Sequence, residues 1–293
     1  MDEQDRPRPG GRPPADKDDH PVMRYMRATK HTGGTFSEKR VRAVRRTYYA
    51  MIAEADAVIG RLLRAVDELG LAGSTYIVFT GDHGDTNMQH QQTLKNSMYE
   101  SSVRVPLIVT GPGVKEGVVV DDLVSLVDIF PTLMDMASLP KPEGLSGQSL
   151  MPLLTGKDAD RRNWALSQYH SNMANTGAFM LWRGPWKYVA YAGYDPQLFN
   201  LEKDPDELRN VASDRPEVVQ KMDAKLREIV DYETVDAAAK AYDRQHFRRW
   251  REKLGGDKAC QRKLAGDDLY GRYSDEWRND IHYAKIKSWL DKA

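Results

Sequence analysis

The stretch from Thr75 to Gly113 constrains this chain most. A β-branched and aromatic run, Thr75-Tyr76-Ile77-Val78-Phe79, stops abruptly in Thr80-Gly81-Asp82-His83-Gly84-Asp85. Such a run reads as a buried parallel strand ending at the edge of its sheet. Open α/β sheets bind ligands beyond the carboxyl ends of their strands. Asp82 and His83 therefore stand where a metal or a substrate is expected. A second run, Val105-Pro106-Leu107-Ile108-Val109-Thr110, ends in the glycine turn Gly111-Pro112-Gly113. The polar loop between the two runs carries His90, Lys95 and Tyr99.

What precedes this stretch reads as a long helix. Val41, Val44, Tyr48, Met51, Ile52, Ala55, Ile59, Leu62, Leu63, Val66 and Leu69 recur at three- and four-residue steps, the spacing of one helical face. Ser37 is placed to cap its start and Gly70 to end it. Helix followed by strand makes an α/β unit. Residues 1–36 read as an extended or disordered segment, with His20-Pro21 opening its extended part. Asp18-Asp19 has no apolar strand before it to hold it as a metal site. Downstream, Ser125-Leu126-Val127-Asp128 has the form of a capping box, and Pro131 marks a kink or a fresh helix start.

A boundary is expected near Gly156, separating an α/β part (37–156) from an antiparallel part with a helical tail (157–293). In the latter, Ala178 to Arg183, Gly184-Pro185 and Trp186 to Tyr191 read as a hairpin with aromatic cross-strand pairs. Gln197 to Asn200 reads as a third strand, and Asp204-Pro205-Asp206-Glu207 as a turn entering a helix. Pro216 to Tyr232 is amphipathic. The charged, aromatic tail from Ala237 through Tyr270, Tyr273, Trp277 and Trp289 reads as helices packing an apolar face on the body.

Composition excludes several classes of function. The formal net charge of the 293 residues is zero, so no global field draws the chain to nucleic acid or to an anionic membrane. One cysteine, Cys260, rules out an internal disulfide framework. No apolar stretch approaches the roughly 20 residues of a membrane span. No secretory signal is visible, so the chain as given reads as soluble and cytoplasmic. A true start further upstream would instead allow a periplasmic or secreted protein.

The chemistry centres on the loop. Gly81 and Gly84 let the chain bend so that Asp82 and His83 share a ligand. A carboxylate with an imidazole suits a divalent cation, although an Asp that merely hydrogen-bonds at a strand end fits the same pattern. Lys95 adds an ammonium able to hold a tetrahedral anion; alone it would read as a surface lysine. His90 could give a proton to a leaving group, or be a hydrogen-bonded loop histidine.

Several motifs, in order, resemble the C-terminal half of the type I sulfatases of the alkaline-phosphatase-like superfamily. They are Gly81-Asp82-His83-Gly84, the His90 to Lys95 interval, Ser97-Met98-Tyr99-Glu100, Arg104 to Ile108 with Gly111-Pro112-Gly113, and Leu126 to Leu133. Trp186-Lys187-Tyr188, Leu198-Phe199-Asn200-Leu201 and Asp204 to Leu208 continue the likeness. An arylsulfatase K-like branch is the nearer one, through Ser97 to Glu100 and Leu166-Ser167-Gln168-Tyr169-His170; choline sulfatases share much of the pattern.

The resemblance implies a partial alkaline-phosphatase-like sheet flanked by helices, and hydrolysis of sulfate esters, of sulfated sugars or uronates in particular. It implies Asp82 and His83 as two ligands of Ca²⁺ or another divalent cation, Lys95 on the sulfate, and His170 reaching the substrate pocket. A phosphoester or phosphonate hydrolase of the same superfamily is the rival reading. The family's nucleophile is a formylglycine made within Cys/Ser-x-Pro-x-Arg. No such motif occurs in this chain, and Cys260 is followed by Gln261 and Arg262. The chain is therefore expected to be inactive alone; an alternative is a non-catalytic fragment that needs a separate N-terminal half.

Overall fold

The computed structural model describes residues 20–30, 36–170 and 174–266. The helices are α1 (Pro21–Lys30), α2 (Glu38–Glu68), α3 (Glu100–Val103), α4 (Ile129–Met136), α5 (Met151–Leu154), α6 (Pro216–Ile229), α7 (Tyr232–Lys253) and α8 (Asp257–Gly266). The strands are β1 (Ile77–Thr80), β2 (Leu107–Thr110), β3 (Ala165–Tyr169), β4 (Ala178–Arg183), β5 (Trp186–Tyr191) and β6 (Tyr194–Asn200). The architecture is mixed α/β. Asp18-Asp19 and the tail aromatics from Tyr270 onward lie outside the described residues. Among the described residues, no helix is long and apolar enough to cross a membrane.

Helix α2 has the expected ends. Ser37 is extended, and its hydroxyl accepts from the Arg40 amide at 3.3 Å. Gly70 stops the helix at φ 67°, a conformation that costs glycine little. The apolar stripe behaves differently from expectation. Only Val41 is buried within α2, while Met51 is 63% and Leu62 60% exposed.

Strands β1 and β2 correct the expectation of a buried parallel sheet. They pair antiparallel, Ile77 opposite Thr110 and Thr80 opposite Leu107. A parallel pair needs a crossover that carries the chain back along the sheet, usually a helix. Residues 81–106 instead leave and return at the same edge, with only the single-turn α3 and a short 3₁₀ turn on the way. Phe79 and Ile108, opposite each other, are both exposed.

The second sheet is a meander in the order β3-β4-β5-β6. The hairpin β4–β5 forms as expected, around Gly184 at φ 54° and Pro185. Its aromatic residues are not directly opposed, however. The two-residue turn fixes the register and sets Leu181 against Tyr188 and Phe179 against Ala190. Strand β3 is a further strand, unanticipated because Ala165-Leu166-Ser167-Gln168-Tyr169 has little β-branched character. Side-chain alternation divides the core. Phe179, Leu181, Tyr188 and Leu198 pack with Met222, Leu226 and Tyr232 at α6 and the start of α7. Ala178, Met180, Val189 and Tyr191 pack with Val22, Met26 and Met98 on the other side. Both faces are covered, which is why β4 and β5 read as nearly continuous apolar runs. Complete burial of Phe179 and Leu181 stabilises by about 1.5–3 kcal/mol each.

Two further expectations are corrected. Residues 21–30 are helical rather than extended. Pro21 sits in the first turn, where its missing N–H costs nothing, and Val22, Met23 and Met26 place a buried stripe against the sheet and the site loop. The turn at Asp204–Glu207 does not enter a helix, because its acceptors serve the chain that follows: Asp204 accepts from the Leu208 and Arg209 amides. The next helix, α6, begins only at Pro216.

The Ser125–Asp128 capping box is present. It opens a 3₁₀ turn (Leu126–Asp128) running directly into α4, with Pro131 in that helix's first turn.

Candidate active site

Strand β1 delivers Asp82 and His83 to the start of the loop. Asp82 Oδ1 accepts from the His83 amide at 3.0 Å, and His83 Nδ1 lies 2.9 Å from the Gly84 carbonyl. A carbonyl only accepts, so Nδ1 carries the ring proton of the neutral ring and Nε2 presents its lone pair. That lone pair lies 3.3 Å from Asp82 Oδ2 and receives the Lys95 ammonium in a short contact. Carboxylate oxygen, imidazole nitrogen and ammonium thus meet at one exposed spot. Two donors with this bite suit a divalent cation, and a cationic group already sits on the nitrogen that a metal would take. They fill only part of a coordination shell, since Ca²⁺ takes about 6–8 ligands. Among the described residues, no group of three or more His, Cys, Asp or Glu could hold a metal ion.

The loop is shaped by strain and close approach. Asn87, Met88, His90, Gln91 and Leu94 all have positive φ, which costs non-glycine residues on the order of 1 kcal/mol each. The Gly84 amide donates to the Ser102 carbonyl at 2.7 Å. A Cβ on Gly84 would lie 2.1 Å from the Ser101 carbonyl oxygen, so only glycine lets α3 come this close. Arg45 of α2 donates to the Asn87 carbonyl at 3.0 Å, and Gln91 Oε1 accepts from the Phe36 amide at 2.9 Å.

His90 and His170 do not join Asp82, His83 and Lys95. His90 is 6% exposed and stacks on Tyr99 at 3.7 Å. Burial, with Arg27 and Lys187 nearby, pushes its pKa down to about 4. Near neutral pH such a ring is neutral and carries one weakly acidic N–H, the state of a hydrogen-bonded loop histidine. His170 follows β3 and meets Phe179 edge-on at 5.0 Å. Phe179 faces the α6 side of the sheet, whereas Met98 of the loop packs on the other side. Partial burial lowers the His170 pKa, opposed by Asp236 and Asp243.

A group that sequence reasoning passed over lies beneath the loop. Lys187 of β5 is fully buried, with Nζ 2.9 Å from Glu100 Oε1 and 2.7 Å from Glu207 Oε1. Glu207 Oε2 accepts from the Glu100 amide at 2.6 Å. Desolvation pushes the Glu207 pKa up, against the opposing pull of Lys187. The signal was a single lysine inside the apolar run Trp186 to Tyr191, since a buried ammonium requires a partner.

A strand-end carboxylate and imidazole thus stand beside a lysine on a mixed α/β frame, and the structural neighbours of that frame are alkaline-phosphatase-like sulfatases. The chain belongs to the sulfatase family: residues 11–139 match the Sulfatase model, and residues 89–232 match N-sulphoglucosamine sulphohydrolase, C-terminal. It is 45% identical to arylsulfatase K of Xenopus laevis over 249 residues, covering 81% of this chain and 46% of the relative. Among solved structures it resembles the phosphonate monoester hydrolase of Agrobacterium radiobacter (32% identity, TM-score 0.62), over 66% of this chain and 42% of that one. It also resembles a protein solved with its substrate D-glucosamine-2-N,6-O-disulfate (25% identity, TM-score 0.57), over 64% and 40% of the two chains. The chain spans about half the length of the curated relatives it matches.

Proposed function

We propose that this chain forms the metal- and sulfate-binding wall of a sulfuric ester hydrolase acting on sulfated carbohydrate. The observation that carries the reading is the meeting of Asp82, His83 and Lys95 just past β1. Asp82 and His83 would supply two ligands of a divalent cation, Ca²⁺ by family, which when bound would offset charge on the sulfate oxygens. Lys95 is the mobile partner, with an ammonium free to turn from His83 to a sulfate oxygen as charge builds there. The substrate class is supported by the structural neighbour's bound glucosamine disulfate.

The nucleophile would come from the half of the family's length that this chain does not span. That half would cover the exposed stripe of α2 and the outer face of β1–β2, which carries Phe79 and Ile108. A second reading, phosphonate or phosphate ester hydrolysis, is favoured by the likeness to the phosphonate monoester hydrolase.

The test is co-expression with the N-terminal half of the Xenopus relative, together with its formylglycine-generating enzyme. The expected outcome is metal-dependent hydrolysis of an aryl sulfate, absent from either half alone and reduced about 10²–10³-fold by Lys95→Ala. Turnover that survives Asp82→Ala would sink the metal assignment. Faster hydrolysis of an aryl phosphonate than of the sulfate would favour the second reading.

A further inference from the structure

We propose that Glu207, with Lys187, is a latch that holds the site loop in its working shape. Its reach to function rests on the hydrolase reading above, but the latch itself does not. Glu207 is a positioning residue, acting through Glu100 and His90 rather than on substrate.

The loop returns toward the sheet at Glu100. There one carboxylate of the Asp204–Glu207 turn engages two groups at once, the Glu100 amide at 2.6 Å and the Lys187 ammonium at 2.7 Å. Lys187 adds a second tie to the Glu100 carboxylate at 2.9 Å. At His90 the same turn lies beside the loop again, with the Asp206 backbone near the ring. These two points enclose the segment that carries Lys95.

Conformational strain points the same way. Among the described residues, the non-glycine positions with positive φ are Asn87, Met88, His90, Gln91, Leu94, Ser138 and Glu207. All but Ser138 lie in the loop or are the latch residue itself. Strained backbone persists only where its surroundings over-determine it. Here the buried charge group and the stacked His90–Tyr99 pair are the surroundings. Without the latch the loop would relax toward ordinary φ values, and Lys95 would leave His83.

Hydrogen exchange by mass spectrometry on the full chain tests this without any turnover. Glu207→Ala should speed exchange in peptides from 84–104 about tenfold or more, since bonds to charged groups are the stronger ones. Peptides from 178–191 in the β4–β5 core should stay unchanged. Glu207→Gln keeps an acceptor for the Glu100 amide but loses the negative charge paired with Lys187, so a few-fold rise confined to 84–104 is expected. The His90 imidazole, followed by NMR, should titrate nearer its ordinary value in Glu207→Ala, because an opened loop exposes the ring. Equal acceleration in both peptide sets, or none in the loop, overturns the proposal. If Glu207→Ala does not fold, Glu207→Gln decides by the same comparison.

Discussion

Asp128→Ala should lower the stability of the fold by about 3–5 kcal/mol, the cost of leaving buried charge without its partner. Asp128 is completely buried and its two oxygens meet four donors. These are the amides of Ser125 (3.0 Å) and Gln148 (2.8 Å) and the guanidinium groups of Arg161 (2.9 Å) and Arg162 (2.5 Å). The two arginine side chains are only 4% and 9% exposed. Removing the carboxylate leaves two buried cations and two amides without their acceptor. Asp128→Asn keeps the shape and one acceptor oxygen but loses the charge, and should fall between wild type and alanine. Urea unfolding at pH 7 reads the difference, and a loss under about 1 kcal/mol for the alanine variant would contradict this account.

Acid should weaken the chain through His90. Its folded pKa is depressed from 6.5 to about 4. The unfolded chain takes up the proton as pH falls past 6.5, whereas the folded chain resists until about 4. Stability from the buried neutral ring is therefore fully present above pH 6.5 and lost as pH falls through 4. The window is worth about 3 kcal/mol. Carboxylates titrate in the same range, so the comparison is between wild type and His90→Gln. Unfolding free energies at pH 7 and pH 4 should show wild type losing about 3 kcal/mol more than the variant. Equal losses would mean that the ring is not held neutral by burial.

The parts legible in the sequence were those set by local chemistry. Ser37, Gly70 and the three- and four-residue spacing between them located α2. Gly184-Pro185 between apolar runs located the β4–β5 hairpin, and Ser125 with Asp128 located a capped turn. What failed depended on the path of the chain elsewhere. Whether β2 lies parallel or antiparallel to β1 is decided by the route of residues 81–106, not by either run. Helix α1 was masked by the Pro- and Gly-rich composition upstream, although Val22, Met23 and Met26 carried its pattern. Motif and spacing singled out Asp82, His83 and Lys95, and the structure brings their side chains together. His90 was ambiguous, since the same residue type serves as proton donor or loop prop, and its burial against Tyr99 was not legible in the sequence. Lys187 was passed over although it is a charge in an apolar strand, because its partners lie far away in the chain and nothing local names them.

That distance bears on the order in which the molecule assembles. The β3–β6 meander joins successive neighbours, and contacts of that kind form early because little chain entropy is spent on closure. Glu100 is 87 residues from Lys187 and 107 from Glu207. The sheet should therefore condense first, with the loop docking onto a surface already built. Interactions made after the folding transition state affect the rate of unfolding more than that of folding. The working loop then takes shape after the sheet and is released before it, so its integrity is governed by escape from the native state rather than by the speed of arrival.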